Sequence, residues 1–160
     1  MKKKVVLLIF IGIHLSAPAQ NGYLLSGARA TALGTASVSL SDELGVIHNQ
    51  AGLGFVRHTT TGFYYKNNFL LKELGTRNVI LTLPIKAGTL GTSFTNFGYR
   101  AYNENKLNLS FAKAFSNTFS MGIALDYLYT HIAEGNTNFG TLVGEVGILT
   151  KLRKDLSLGA

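Results

Sequence analysis

The stretch FSMGIALDYLY, from Phe119 to Tyr129, decides the fold. Its odd positions are Phe119, Met121, Ile123, Leu125, Tyr127 and Tyr129; its even positions include Ser120, Gly122, Ala124 and Asp126. Side chains on a strand alternate between faces, so a strand here carries one apolar face and one small or polar face. A helix would mix the two sets around its circumference. The spacing predicts a strand.

Segments of the same kind lie on both sides. Lys106 to Ala114 sets Leu107, Leu109 and Phe111 against Asn108, Ser110 and Ala112. Thr89 to Gly98 sets Leu90 and Phe94 against Gly91, Ser93 and Thr95, and Arg77 to Ile85 carries Val79, Leu81 and Leu83. Thr59 to Lys66 and Thr141 to Lys151 follow the pattern less strictly, and a last segment starts at Leu156. The expectation is all-β, with six strands and the start of a seventh. Lys86-Ala87-Gly88, Ser116-Asn117-Thr118 and Arg153-Lys154-Asp155 read as hairpin turns. Between them Asn67 to Thr76, Tyr99 to Asn105 and Ile132 to Gly140 read as longer polar loops. Alternating short and long connections are expected of a transmembrane antiparallel β-barrel. Strands of about 9–11 residues suit a tilted membrane crossing, and Phe119, Tyr127 and Tyr129 suit interfacial aromatic belts. The competing reading is a secreted structural or binding β-sandwich whose core holds these rings.

Composition narrows the classes. The 160 residues are 46% apolar and only 14% charged, against about 25% charged in ordinary soluble domains; a disordered chain is more polar and less aromatic. With no Cys there is no disulfide, thiolate metal site or Cys nucleophile. The net charge of +7 suggests nucleic acid, but Lys2, Lys3 and Lys4 supply part of it. They precede an apolar run, Val5 to Leu15, and the small-x-small site Ala17-Pro18-Ala19. These are the parts of a secretory signal peptide over residues 1–19, cleaved near Ala19 or Gln20; the run is too short for a membrane-spanning helix. Twelve basic and eight acidic residues remain, a net of +4 with no basic cluster, so no nucleic-acid partner is expected.

Residues 20–57 differ from the rest. Gly27 to Phe55 reads GARATALGTASVSLSDELGVIHNQAGLGF, rich in Gly and Ala, and such residues permit tight turns and close backbone approach. Ser41-Asp42-Glu43 can cap a short helical turn running towards His48. A compact element of this kind, ahead of the first strand, suits a plug inside a barrel. Arg29 can pair with Asp42 or Glu43, or remain a solvated charge.

This segment resembles the N-terminal motif of the PorV/PorQ family of Bacteroidota outer-membrane proteins, associated with type IX secretion, and more distantly the FadL-like long-chain fatty acid transporter barrels. The family pattern is roughly G-x-R-A-x-x-[LM]-G-x-A, an acidic pair, then N-P-A-G-L. Here it stands as Gly27, Arg29, Ala30, Leu33, Gly34 and Ala36, then Asp42-Glu43, then Asn49, Gln50, Ala51, Gly52 and Leu53, with Gln50 in place of Pro. The resemblance implies an outer-membrane β-barrel with an N-terminal plug and no catalytic machinery or cofactor. It further implies outer-membrane lipid as surroundings and secreted cargo or secretion-system components as partners, or else passage of hydrophobic small molecules. Asn49 and Gly52 read as shaping residues.

Other chemistry is weakly signalled. His48, His58 and His131 have no metal-ligand spacing, and no nucleophile elbow accompanies the Ser, His and Asp residues. Gly144-Glu145-Val146-Gly147 lacks the Lys-Ser/Thr of a phosphate loop. Asp126, on the polar face of the best strand, reads as lumen lining or a selectivity contact. Bacterial single-chain barrels have even strand numbers from eight upward. Residues 58–160 are therefore expected to be the N-terminal half of a larger barrel, ending inside strand seven.

Overall fold

The computed structural model describes residues 27–134 and 137–160. The expected signal peptide, residues 1–19, and the start of the N-terminal segment, residues 20–26, lie outside the described residues. Seven antiparallel strands form one curled, half-barrel sheet in the order β1 to β7. They are β1 Thr60–Asn67, β2 Gly75–Ile85, β3 Gly88–Tyr99, β4 Tyr102–Ala114, β5 Phe119–Ile132, β6 Thr137–Arg153 and β7 Leu156–Gly159. Every segment read as a strand from alternation is one. Before them come two short helices, α1 Ala28–Ala32 and α2 Gly45–His48, and a 3-10 helix over Gln50–Phe55. Among the described residues no helix is long and apolar enough to cross a membrane, which says nothing of strands.

The loop rhythm needs correction. Tyr99 to Asn105, expected as a long loop, is a two-residue turn between β3 and β4, and of the described residues in the expected loop Ile132 to Gly140, Ile132 ends β5 and residues 137–140 belong to β6. Polar side chains carry the ladders past the apolar stretch by bonding across strands. Asn96 Nδ2 donates to Asn105 Oδ1 at 2.9 Å, and Tyr129 Oη donates to Asn138 Oδ1 at 3.0 Å. Only the β1–β2 connection, residues 68–74, stays long, and it contains a 3-10 turn, Lys72–Leu74.

Face assignment follows from register. One row of paired residues runs Phe63, Val79, Phe94, Leu107, Tyr127 and Leu142 across β1 to β6. The next row but one runs Leu83, Leu90, Phe111, Ile123 and Val146. These side chains point away from the N-terminal segment, and nearly all are exposed: Ile123 by 59% and Val146 by 69%. The opposite face carries Thr82, Ser93, Asn108, Ser110, Ser120 and Asp126, all buried. Along these rows the large apolar side chains lie on the outer face, and the opposite face holds the buried polar ones.

The small apolar core lies between the N-terminal segment and the concave face. Leu44, Val46, Ile47 and Leu53 pack there with Ile80 and Ala112. The segment can approach because the sheet is nearly bare beneath it. Ala112, Gly122 and Gly147 are paired neighbours across β4, β5 and β6. A Cβ on Gly122 would lie 2.6 Å from the Gln50 carbonyl carbon, and one on Gly147 would strike Asn49 Oδ1. These glycines serve close approach, the use to which a missing Cβ is best suited.

Candidate functional site

Above the seat of the 3-10 helix, the concave face holds a cavity of about 730 Å³. Its wall combines Ile47, Leu128, Phe139 and Val143 with Gln50, Glu104, Lys106, Asp126 and Glu145. The charges meet because of register. Lys106 on β4 pairs with Leu128, and Asp126 lies two residues back on β5; Asp126 pairs with Val143, and Glu145 lies two residues on along β6. Diagonal neighbours of this kind are within reach of long side chains.

Lys106 Nζ sits 2.6 Å from Asp126 Oδ2 and 3.3 Å from Glu145 Oε1. The Lys106 and Asp126 side chains are only 6% and 1% exposed. Asn108 Nδ2 donates to Asp126 Oδ1 at 2.5 Å, Gln50 Nε2 donates to Glu145 Oε2, and Tyr102 Oη donates to Glu104 Oε1. One ammonium therefore bridges two carboxylates on different strands, and a side chain of the N-terminal segment joins the same cluster. Buried ion pairs persist where further hydrogen bonds satisfy their remaining atoms. Truncating one partner leaves an uncompensated charge, so the cluster ties β4, β5, β6 and Gln50 into one unit.

The residues singled out from the sequence fall into two groups. Asn49 Nδ2 donates to the carbonyls of Val38 at 2.7 Å and Ile148 at 3.1 Å, while its Oδ1 accepts from Ala51 N at 3.1 Å. Ala51, Gly52 and Leu53 are buried in the 3-10 helix, and a Cβ on Gly52 would lie 2.6 Å from the Leu40 carbonyl oxygen. Asp126 is central to the charged cluster. Arg29 and Asp42 form an ion pair at 3.1 Å, apart from that cluster, with the Arg29 side chain 63% exposed; pairs this exposed contribute about 0–1 kcal/mol. Asp42 Oδ1 also accepts from Leu44 N at 3.1 Å, just ahead of α2. Gly27 and Gly34 have φ of 117° and 63°, and Ala30 is buried in α1.

Lys106, Glu145 and Gln50 escape a reading of the sequence alone. There Glu145 stands only in a glycine-rich string, and Gln50 only as a departure from Pro. Their shared signal is a long polar side chain on the small-residue face of a strand or beside it. Among the histidines, His48 lines the cavity, His58 is exposed, and His131 Nδ1 lies 2.7 Å from Asn138 Oδ1. Among the described residues no group of three or more His, Cys, Asp and Glu could hold a metal ion. Compared with protein families, characterised proteins and solved structures, the chain finds no match.

Proposed function

We propose that the chain is exported and forms part of the wall of an outer-membrane β-barrel, with residues 20–57 as its plug. One observation carries this reading: the convex face between the strand ends is uncharged, while the concave face holds the buried ion pairs. The outward residues Val79, Leu83, Phe94, Leu107, Leu109, Ile123, Leu125 and Val146 are large and exposed. Lumenal charges and a lipid-facing apolar band are the signature of a membrane barrel. From Phe119 to Tyr129 the strand rises about 34 Å at 3.4 Å per residue. Tilted by about 40°, that covers a height of about 26 Å, against an expected apolar band of about 25 Å. A secreted β-sandwich would bury these side chains within its own fold, as such sandwiches do.

Within that class, the Gly27-to-Leu53 motif supports a PorV/PorQ-type role, accessory to type IX secretion and surface attachment. Secreted proteins would then be the partners. A second reading, a FadL-like channel for hydrophobic small molecules, draws on the apolar part of the cavity wall, Leu128, Phe139 and Val143. Fractionation separates membrane from secreted: the mature chain should require detergent, and a monomer stable in plain buffer would sink the barrel reading. Gene deletion separates the two roles, since secretion predicts cargo retained in the periplasm and transport predicts lost uptake of a hydrophobic solute.

A further inference from the structure

The rim that carries the β1–β2 connection has a second cleft, on the convex side, of about 520 Å³. Lys72 and Glu73 of the 3-10 turn face Arg77 on β2, Asn96, Gly98 and Tyr99 on β3, Arg100 in the following turn, and Asn103 on β4. Three cations and one carboxylate thus share a cleft of small-ligand size. Arg77 Nη1 donates to the neutral Asn96 Oδ1 at 3.1 Å. Among the described residues the ion pairs are Arg29–Asp42, Lys106–Asp126, Lys106–Glu145 and Arg153–Asp155. None neutralises Lys72, Arg77 or Arg100.

Position makes the cluster informative. Arg77 pairs with Asn96, and two residues further along their strands the paired Val79 and Phe94 begin the uncharged convex face. Basic groups therefore sit directly above an exposed apolar wall, on the same side of the sheet. The connection that supplies Lys72 also displays Phe69 and Leu70, 86% and 90% exposed. Both hold left-handed backbone, with φ of 56° and 58°, which bulky residues rarely adopt. Cations over an apolar surface, beside a greasy loop, complement an amphiphile with a negative head and hydrocarbon tails.

We propose that this rim cleft binds the anionic, phosphate-bearing headgroup of a membrane lipid, with Lys72, Arg77 and Arg100 on the phosphate and the acyl chains along Val79 and Phe94. The proposal rests on the barrel reading, which supplies the lipid. Arginine suits such a ligand because its planar fork meets phosphate oxygens in pairs.

Native mass spectrometry of the full chain, purified in detergent with phosphatidylglycerol or phosphatidylcholine, tests it. The chain should retain phosphatidylglycerol in preference. The K72Q/R77Q/R100Q variant should lose that retention by about a hundredfold, as each of the three surface cations adds roughly fivefold to the attraction for anionic lipid. The K86Q/K154Q variant, altered at the opposite rim, should retain it unchanged. Equal retention in the triple variant overturns the proposal, and equal loss in both variants assigns the effect to bulk charge and overturns it too. Displacement by millimolar inorganic phosphate would show a free-anion site in place of a lipid site. The membrane fraction of each variant, measured in parallel, separates the two failures: a chain absent from membranes sinks the barrel reading, whereas an inserted chain without lipid preference sinks only the cleft.

Discussion

Asn49 holds the N-terminal segment to the wall: its amide donates to the carbonyl of Ile148 on β6 at 3.1 Å. The same amide donates to Val38, and its oxygen accepts from Ala51, so one buried side chain satisfies three backbone groups. Replacing Asn49 by Leu keeps the volume and strands the Val38 carbonyl and the Ala51 N–H, while the Ile148 carbonyl still accepts from Ala160 N at 3.0 Å. Each buried group left without a partner costs about 1–3 kcal/mol. Asn49→Leu should therefore lower the unfolding midpoint in detergent and hasten proteolysis between Gly27 and Phe55. Unchanged proteolysis would show that the Asn49 bonds do not hold the segment, leaving apolar packing and the Gln50–Glu145 bond to do so.

The seat beneath the segment gives a paired test. Gly122→Ala and Gly147→Ala place a methyl group against the Gln50 backbone and the Asn49 side chain. At Gly144, on the same strand as Gly147, an added methyl group would meet nothing within 4 Å. Overpacking of a well-filled contact costs about 1–3 kcal/mol, whereas a surface change usually stays within about 0.5 kcal/mol. The two inward variants should release the segment to protease, and Gly144→Ala should behave as wild type. Equal behaviour of all three would contradict the docking described.

Strands and their faces are legible in the sequence because alternation is a local property, visible in Phe119 to Tyr129 without any partner. Strand ends are not. Asn103, Asn105 and Asn138 look like loop residues alone and become strand residues only when bonded to Asn96, Tyr129 or each other. The charged cluster is less legible still. Lys106, Asp126 and Glu145 come from three strands, and only the register places them on one diagonal. Asn49 and Gly52 stand out through a motif, but what they contact, the Ile148 and Leu40 carbonyls, is a tertiary fact.

The Lys106–Asp126 pair should show strong coupling. Lys106→Met leaves Asp126 and Glu145 facing each other without their shared cation. Breaking a buried pair on one side costs about 3–5 kcal/mol. Asp126→Asn in the same chain removes one of the two stranded charges and should recover much of that loss. Unfolding free energies of the wild type, both single variants and the double variant form a cycle. A coupling near zero would mean that the two charges are solvated independently.

The two faces of the sheet make the strongest prediction, since they separate lipid from water as the surroundings of the convex sheet. Leu125 points outward from the middle of β5, and its neighbour Asp126 points inward. In water Leu125→Arg would replace an exposed apolar side chain by a soluble one and change stability little. In a bilayer an arginine on the lipid face at mid-depth costs about 2–4 kcal/mol, falling towards zero near the interface. Leu125→Arg should therefore reduce folding into lipid vesicles sharply, and Tyr129→Arg, at the end of the apolar stretch, much less. The depth dependence is the informative quantity. A destabilisation equal at both positions, or absent at both, would place the convex face in contact with something other than hydrocarbon.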